Sequence, residues 1–117
     1  ALRSYRQEGD GIVSLGNDLS GAHDSLAEDA RLFILKELAA QNDGRLNAIL
    51  AQRLLRDRYG MRRSREWVET QMRKLAELEA VHLHEIAVLT AEIVRAGRDH
   101  LDKISIIVGV TRPHEVE

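Results

Sequence analysis

Apolar residues recur along this chain at two different periods, and the changes of period mark out its elements. Leu26, Ala30, Phe33, Ile34, Leu35 and Leu38 form a stripe of helical period. Asp24 or Ser25 serves as its N-cap, and Glu28 stands three positions after Ser25 in capping-box spacing. Gln41-Asn42-Asp43-Gly44 ends this first helix with a glycine suited to the left-handed region. Leu46 is a lone apolar residue in extended context, and Asn47 is the next N-cap. Ile49, Leu50, Leu54, Leu55 and Tyr59 predict the buried face of a second helix, which Gly60 ends. Met61-Arg62-Arg63 is read as a turn, and Ser64 caps a third helix. On that helix Val68, Met72, Leu75 and Leu78 fall on one side.

After Ala80 the period shortens. Val81-His82-Leu83-His84 alternates in twos and Ile86-Ala87-Val88-Leu89 resumes an apolar run, which predicts a hairpin with a tight tip near His84-Glu85. Thr90 is expected to cap a fourth helix over 91–102 that Gly97 weakens, and residues 104–110 are β-branched and expected to be extended. Thr111-Arg112-Pro113 ends them. The order helix, short extended piece, helix, helix, hairpin, helix predicts a mainly α domain with a small β-hairpin, a winged helix-turn-helix. Residues 1–24, with four glycines and one short apolar cluster, read as a flexible or arm-like N-terminal segment. Residues 25–103 form the domain, and 104–117 an extended C-terminal tail.

Composition narrows the functional classes. The 117 residues suit one domain, with a core that must be aliphatic because only four aromatic residues (one Trp, two Tyr, one Phe) are present. There is no cysteine, which excludes disulfides and thiolate metal sites and suits a cytoplasmic protein. No membrane-length apolar stretch is visible. Enzymatic chemistry finds no foothold: there is no glycine-rich phosphate loop, nucleophile motif or paired catalytic carboxylates, and no cofactor is expected.

Charge changes the picture most. The chain carries a net −2, yet residues 53–74 hold eight basic and three acidic side chains, a net of about +5. This basic island spans the second helix, the turn and the start of the third, where a helix-turn-helix meets DNA. Arg65, Glu66, Glu69, Thr70 and Arg73 are the expected base-facing set. Ser64 would hold a phosphate at the helix N-terminus, and Arg53, Arg56, Arg62, Arg63 and Lys74 would anchor the backbone. The bland alternative is a solvated surface paired internally with Asp57, Glu66 and Glu69, and the two glutamates on the third helix weigh toward it.

His82-x-His84-Glu85 has a metal-like spacing, but a site needs three or four converging ligands. Surface histidines on a strand are the commoner explanation, so no metal is expected. Trp67 reads as half-covering the core.

The chain resembles a family of small winged-helix proteins of Mu-like phages and prophages. The resemblance rests on Glu28-Asp-Ala-Arg-Leu-Phe-Ile-Leu-Lys-Glu-Leu-Ala39, on Leu46-Asn47, on Ser64-Arg65, and on the closing Val108-Gly-Val-Thr-Arg-Pro113. It covers residues 25–113. It implies the winged-helix fold and a phage or prophage origin. With the basic island, the expected function is binding double-stranded DNA as a transcriptional regulator, with non-enzymatic protein–protein adaptor work in packaging or morphogenesis as the alternative. One departure is the wing tip, which offers Glu85 and two histidines where many winged-helix repressors carry a longer basic wing. A homodimer through the N-terminal arm, the fourth helix or the tail is also expected.

Overall fold

The computed structural model describes residues 17–85 and 87–115. Its elements are α1 (Asn17–Ala39), β1 (Arg45–Asn47), α2 (Ala48–Tyr59), α3 (Arg65–Glu77), β2 (Val81–Glu85), β3 (Leu89–Ile93), α4 (Arg95–Leu101) and a closing 3-10 turn (Pro113–Glu115). Four helices surround a three-stranded antiparallel sheet of order β1-β3-β2.

α1 is the central helix. From Ala30 to Leu38 nearly every side chain is covered, including the polar Arg31 and Glu37. The expected one-sided stripe is therefore too narrow, because a helix packed by α2, α3, α4 and the sheet is buried around most of its circumference. The helix also starts at Asn17, upstream of the expected cap, so Ser25 lies within it. One interior glycine, Gly21, costs about 1 kcal/mol relative to alanine and does not stop a helix of this length. The reading of residues 1–16 as part of a flexible arm lies outside the described residues.

Local signals held where they were strongest. Asn47 Oδ1 accepts from the Leu50 amide at 2.9 Å and caps α2, and Gly60 ends it at φ 67°. α3 buries Val68, Met72 and Leu75 completely. The face of α2 differs from expectation. Ala48, Ala51 and Leu55 are buried, while Ile49 and Leu50 are exposed, because the first turn of α2 meets the core through its small residues.

The largest correction concerns residues 91–94, expected to start the fourth helix. Residues 91–93 belong instead to the middle strand β3, and Val94 stands just before α4. Leu89, Ala91 and Ile93 alternate inward with period two, and β3 pairs on one side with β1 (Leu46 opposite Ala91) and on the other with β2 (Leu83 opposite Ala91). Tertiary pairing overrode a helical reading of Ile93 and Val94. Glu85 pairs with Leu89, so three residues close the hairpin, and the expected tip at His84-Glu85 lies within β2. The Thr90 hydroxyl donates to the Val88 carbonyl at 3.1 Å instead of capping a helix.

α4 is consequently short. Gly97 is where it approaches the sheet: a Cβ there would sit 2.6 Å from the Ala80 carbonyl oxygen and 2.9 Å from the Ile93 side chain. Residues 104–110 do not form a strand. They turn over the surface with Ile104, Ile106 and Val108 at 71%, 58% and 86% exposure, while Val110 is buried. Arg31 pins this strap to the core, donating from Nε to the Gly109 carbonyl at 2.7 Å and from a terminal nitrogen to Gln71 at 2.7 Å.

Among the described residues, no helix is long and apolar enough to cross a membrane.

Candidate nucleic-acid interface

The turn between α2 and α3 is built by four local devices. Gly60 reverses the chain in the left-handed region, and its amide and that of Met61 both reach the Leu55 carbonyl. Met61, read from sequence as part of a simple turn, is buried and wedges the turn onto the core. Ser64 Oγ accepts from the Trp67 amide at 3.1 Å, setting the first turn of α3. Gln52 on α2 donates to the Arg63 carbonyl at 2.8 Å and braces the connection across 11 residues.

This scaffold holds Arg62 and Arg63 in solvent. Arg53 is exposed on α2. Among the described residues, none of the three guanidinium groups has a carboxylate partner. Arg63 lies over the Trp67 ring, 5.4 Å from its centroid, a contact that orients the cation without neutralising it. Trp67 is half-buried against the core, as expected. The shared positive field has a visible effect. A hydrogen bond from Arg56 holds the Asp57 carboxyl below the usual range, the Arg56 charge adds to it, and Arg53 and Arg62 add further. Beside the arginines opens a depression of about 280 Å³, lined by Leu26, Tyr59, Gly60, Met61, Arg62 and Arg63.

The other predicted site residues, and Arg58 beside them, are held differently. Arg56 is taken up by its neighbour Asp57 at 2.8 Å. Arg58 reaches the buried Glu37 at 3.3 Å, which also accepts from the Tyr59 hydroxyl at 2.7 Å. Burial, followed by this bond and the Glu37 charge, pushes the Tyr59 phenol up to about 12. Along α3, Arg65 pairs with Glu69 at 3.7 Å. Arg73 pairs with Glu85 at 3.2 Å, and Lys74 with Glu77 at 3.7 Å. Thr70 donates its hydroxyl to the Glu66 carbonyl at 3.0 Å, leaving the oxygen free only as an acceptor. Glu66 and Ser64 are exposed.

The predicted set thus divides into a cationic corner of Arg53, Arg62 and Arg63 and a largely self-neutralised α3 face. Sequence reading missed Glu37, Gln52, Met61 as a wedge, and Glu85 as the partner of Arg73. Only Met61 carried a local signal, being the single apolar residue in a basic turn.

His82 and His84 share one face of β2. His84 Nε2 lies 2.9 Å from Glu92, which also meets Arg45 at 3.2 Å. The hydrogen bond from His84, with help from Arg45, holds the Glu92 carboxyl below its ordinary range. Among the described residues, no group of three or more metal-ligating side chains stands close enough to hold an ion. No family model matches the chain, and no curated protein or solved structure matches it.

Proposed function

We propose that the chain is a winged helix-turn-helix domain that binds double-stranded DNA, with the α2–α3 turn gripping phosphates and α3 entering the major groove. The order of helices and strands supports this reading, as does the pairing of β1 alongside the β2–β3 hairpin. The observation that carries it is the corner of Arg53, Arg62 and Arg63, which is exposed, unneutralised among the described residues, and set beside the capped start of α3. Phosphate contacts supply most of the affinity of such domains and position the reading helix. Arg53, Arg62, Arg63 and the Ser64 turn are the anchors. Glu66 and Thr70 are the groove-facing groups, and base contact by Arg65, Glu69 or Arg73 requires their present pairs to open. The role that fits the resemblance is a phage or prophage regulator acting as a homodimer. Contact between copies through Ile104, Ile106 and Val108 would have to place two α3 helices about 34 Å apart.

A mobility-shift assay on random duplexes at two salt concentrations tests the reading. A salt-sensitive shift is expected, and Arg62→Glu with Arg63→Glu abolishes it. An undiminished shift in that variant sinks the assignment.

The pairing along α3 favours a second reading, a protein–protein adaptor in phage packaging or morphogenesis. A groove-reading helix gains little from arginines already matched to Glu69 and Glu85. Absence of duplex binding at low salt, with phage function retained in the Arg62→Glu, Arg63→Glu chain, would favour it.

A further inference from the structure

The C-terminal strap folds back on the end of α4 and leaves a concavity of about 150 Å³ that shares no residue with the basic corner. Its wall is rigid. His100 is 1% exposed, and both ring nitrogens are engaged. Nδ1 accepts from the Ile107 amide at 3.0 Å, so Nε2, 2.9 Å from the Thr111 carbonyl, carries the proton and donates to it. Thr111 is tied in turn to α1, its amide donating to the Glu28 carbonyl at 3.3 Å and its hydroxyl to Asp29 at 2.5 Å. The strap on one side and the helix end on the other are therefore fixed before any ligand arrives, which lowers the ordering cost of binding.

Two cations line the opening, Lys103 and Arg112. Among the described residues, neither has a carboxylate partner. Asp99, the neighbouring acid on α4, faces Arg95 at 3.9 Å. Ile106 and Pro113 supply apolar lining. The volume is well below the roughly 300 Å³ at which sites for drug-sized molecules begin, so a peptide or nucleotide does not fit.

We infer that this cavity binds a small organic monoanion, a carboxylate carried on a compact apolar body. The carboxylate meets the Arg112 fork, which can engage it through two parallel hydrogen bonds, and the Lys103 ammonium. The body rests on Ile106 and Pro113. A free inorganic anion is a poorer occupant, because it can meet Lys103 and Arg112 but has no apolar body to cover Ile106 and Pro113. Occupancy holds the strap to α4 and α1, so the ligand stabilises the fold by mass action. The site stands independently of the DNA reading.

Benzoate is the probe. Titrated into the full chain at constant ionic strength and followed by amide NMR, it should give saturable shifts confined to residues 100–114. The expected dissociation constant is on the order of millimolar. Benzamide, with the same ring and no charge, should bind at least about tenfold more weakly, and so should inorganic phosphate. Lys103→Asn, which tolerates the φ of 64° at that position, combined with Arg112→Gln should weaken benzoate about tenfold. Shifts still linear at about 50 mM benzoate would overturn the proposal. So would equal binding of benzamide or phosphate, or undiminished benzoate binding in a folded double variant. Should that variant not fold, the benzoate–benzamide contrast in the unaltered chain decides the matter alone.

Discussion

At the α2–α3 turn, Arg62 and Arg63 stand in solvent with no carboxylate in ion-pair contact among the described residues. About three turns further along, Arg73 and Lys74 are matched to Glu85 and Glu77. Both places carry two basic side chains, and their availability is opposite. The groups that support the turn are neutral: Gln52 braces its backbone, Met61 anchors it, and Trp67 carries the Arg63 cation. The far end of α3 lies against β2, which brings Glu85 to Arg73. The density of positive charge in a sequence segment therefore overstates what an anionic partner can use, because each cation counts only after its folded neighbours are known.

The largest test of this contrast is charge reversal at each end. Arg62→Glu with Arg63→Glu should lower duplex affinity by about 100-fold or more at moderate salt, whereas Arg73→Glu with Lys74→Glu should cost less than about fivefold. Equal losses in a filter-binding titration would erase the distinction. Next comes the wedge beneath the corner. Met61→Ala should destabilise the fold by about 2–4 kcal/mol in urea denaturation, and a loss under about 1 kcal/mol would mean that the core does not hold the turn. A smaller effect probes the neutralised end directly. Glu85→Gln releases Arg73 and should raise duplex affinity about threefold while steepening the salt slope by about one, with no measurable change in melting temperature. An unaltered slope would show that Glu85 does not restrain Arg73.

The subtlest test uses Glu37, the buried carboxylate of α1 that meets the end of α2. Because the Tyr59 phenol is raised to about 12, its neutral form is the one that folding favours. Its contribution to stability is complete below the unfolded value of about 10 and is lost as pH climbs toward 12. Glu37→Gln should return the phenolate absorbance of Tyr59 toward about 10, read as a difference from the unaltered chain. No difference would deny Glu37 its grip on Tyr59 and, by extension, on Arg58.

Much of the framework was legible in the sequence, for identifiable reasons. Asn47 and Ser64 accept from amides three residues on, and the Gly60 amide reaches the Leu55 carbonyl five residues back, so their capping roles are written locally. The Val68, Met72 and Leu75 face follows from helical geometry alone. Residues 91–93 were not legible as strand, since a short apolar run fits either period and only the flanking strands chose between them. The first-turn face of α2 failed for a related reason. Small Ala48 and Ala51 permit close approach to the core, a gain that a hydrophobicity pattern does not register. Gly97 was read as a helix weakness, whereas its use is the near-contact with Ala80 that a side chain would prevent.

The candidate interface followed the same division. Position, sign of charge and the capped start of α3 came from the chain itself, through short-range hydrogen bonding and composition. Which arginines remain usable was decided by Glu37 and Glu85, which lie 21 and 12 residues from the cations they bind, and by the neutral braces around the turn. Local steric and hydrogen-bonding preferences act over one helical turn and can be read linearly. Arg56–Asp57, Arg65–Glu69 and Lys74–Glu77 fall within that reach. Ion pairing depends on distance in space, so only the assembled helices and strands could bring Glu37 to Arg58 and Glu85 to Arg73.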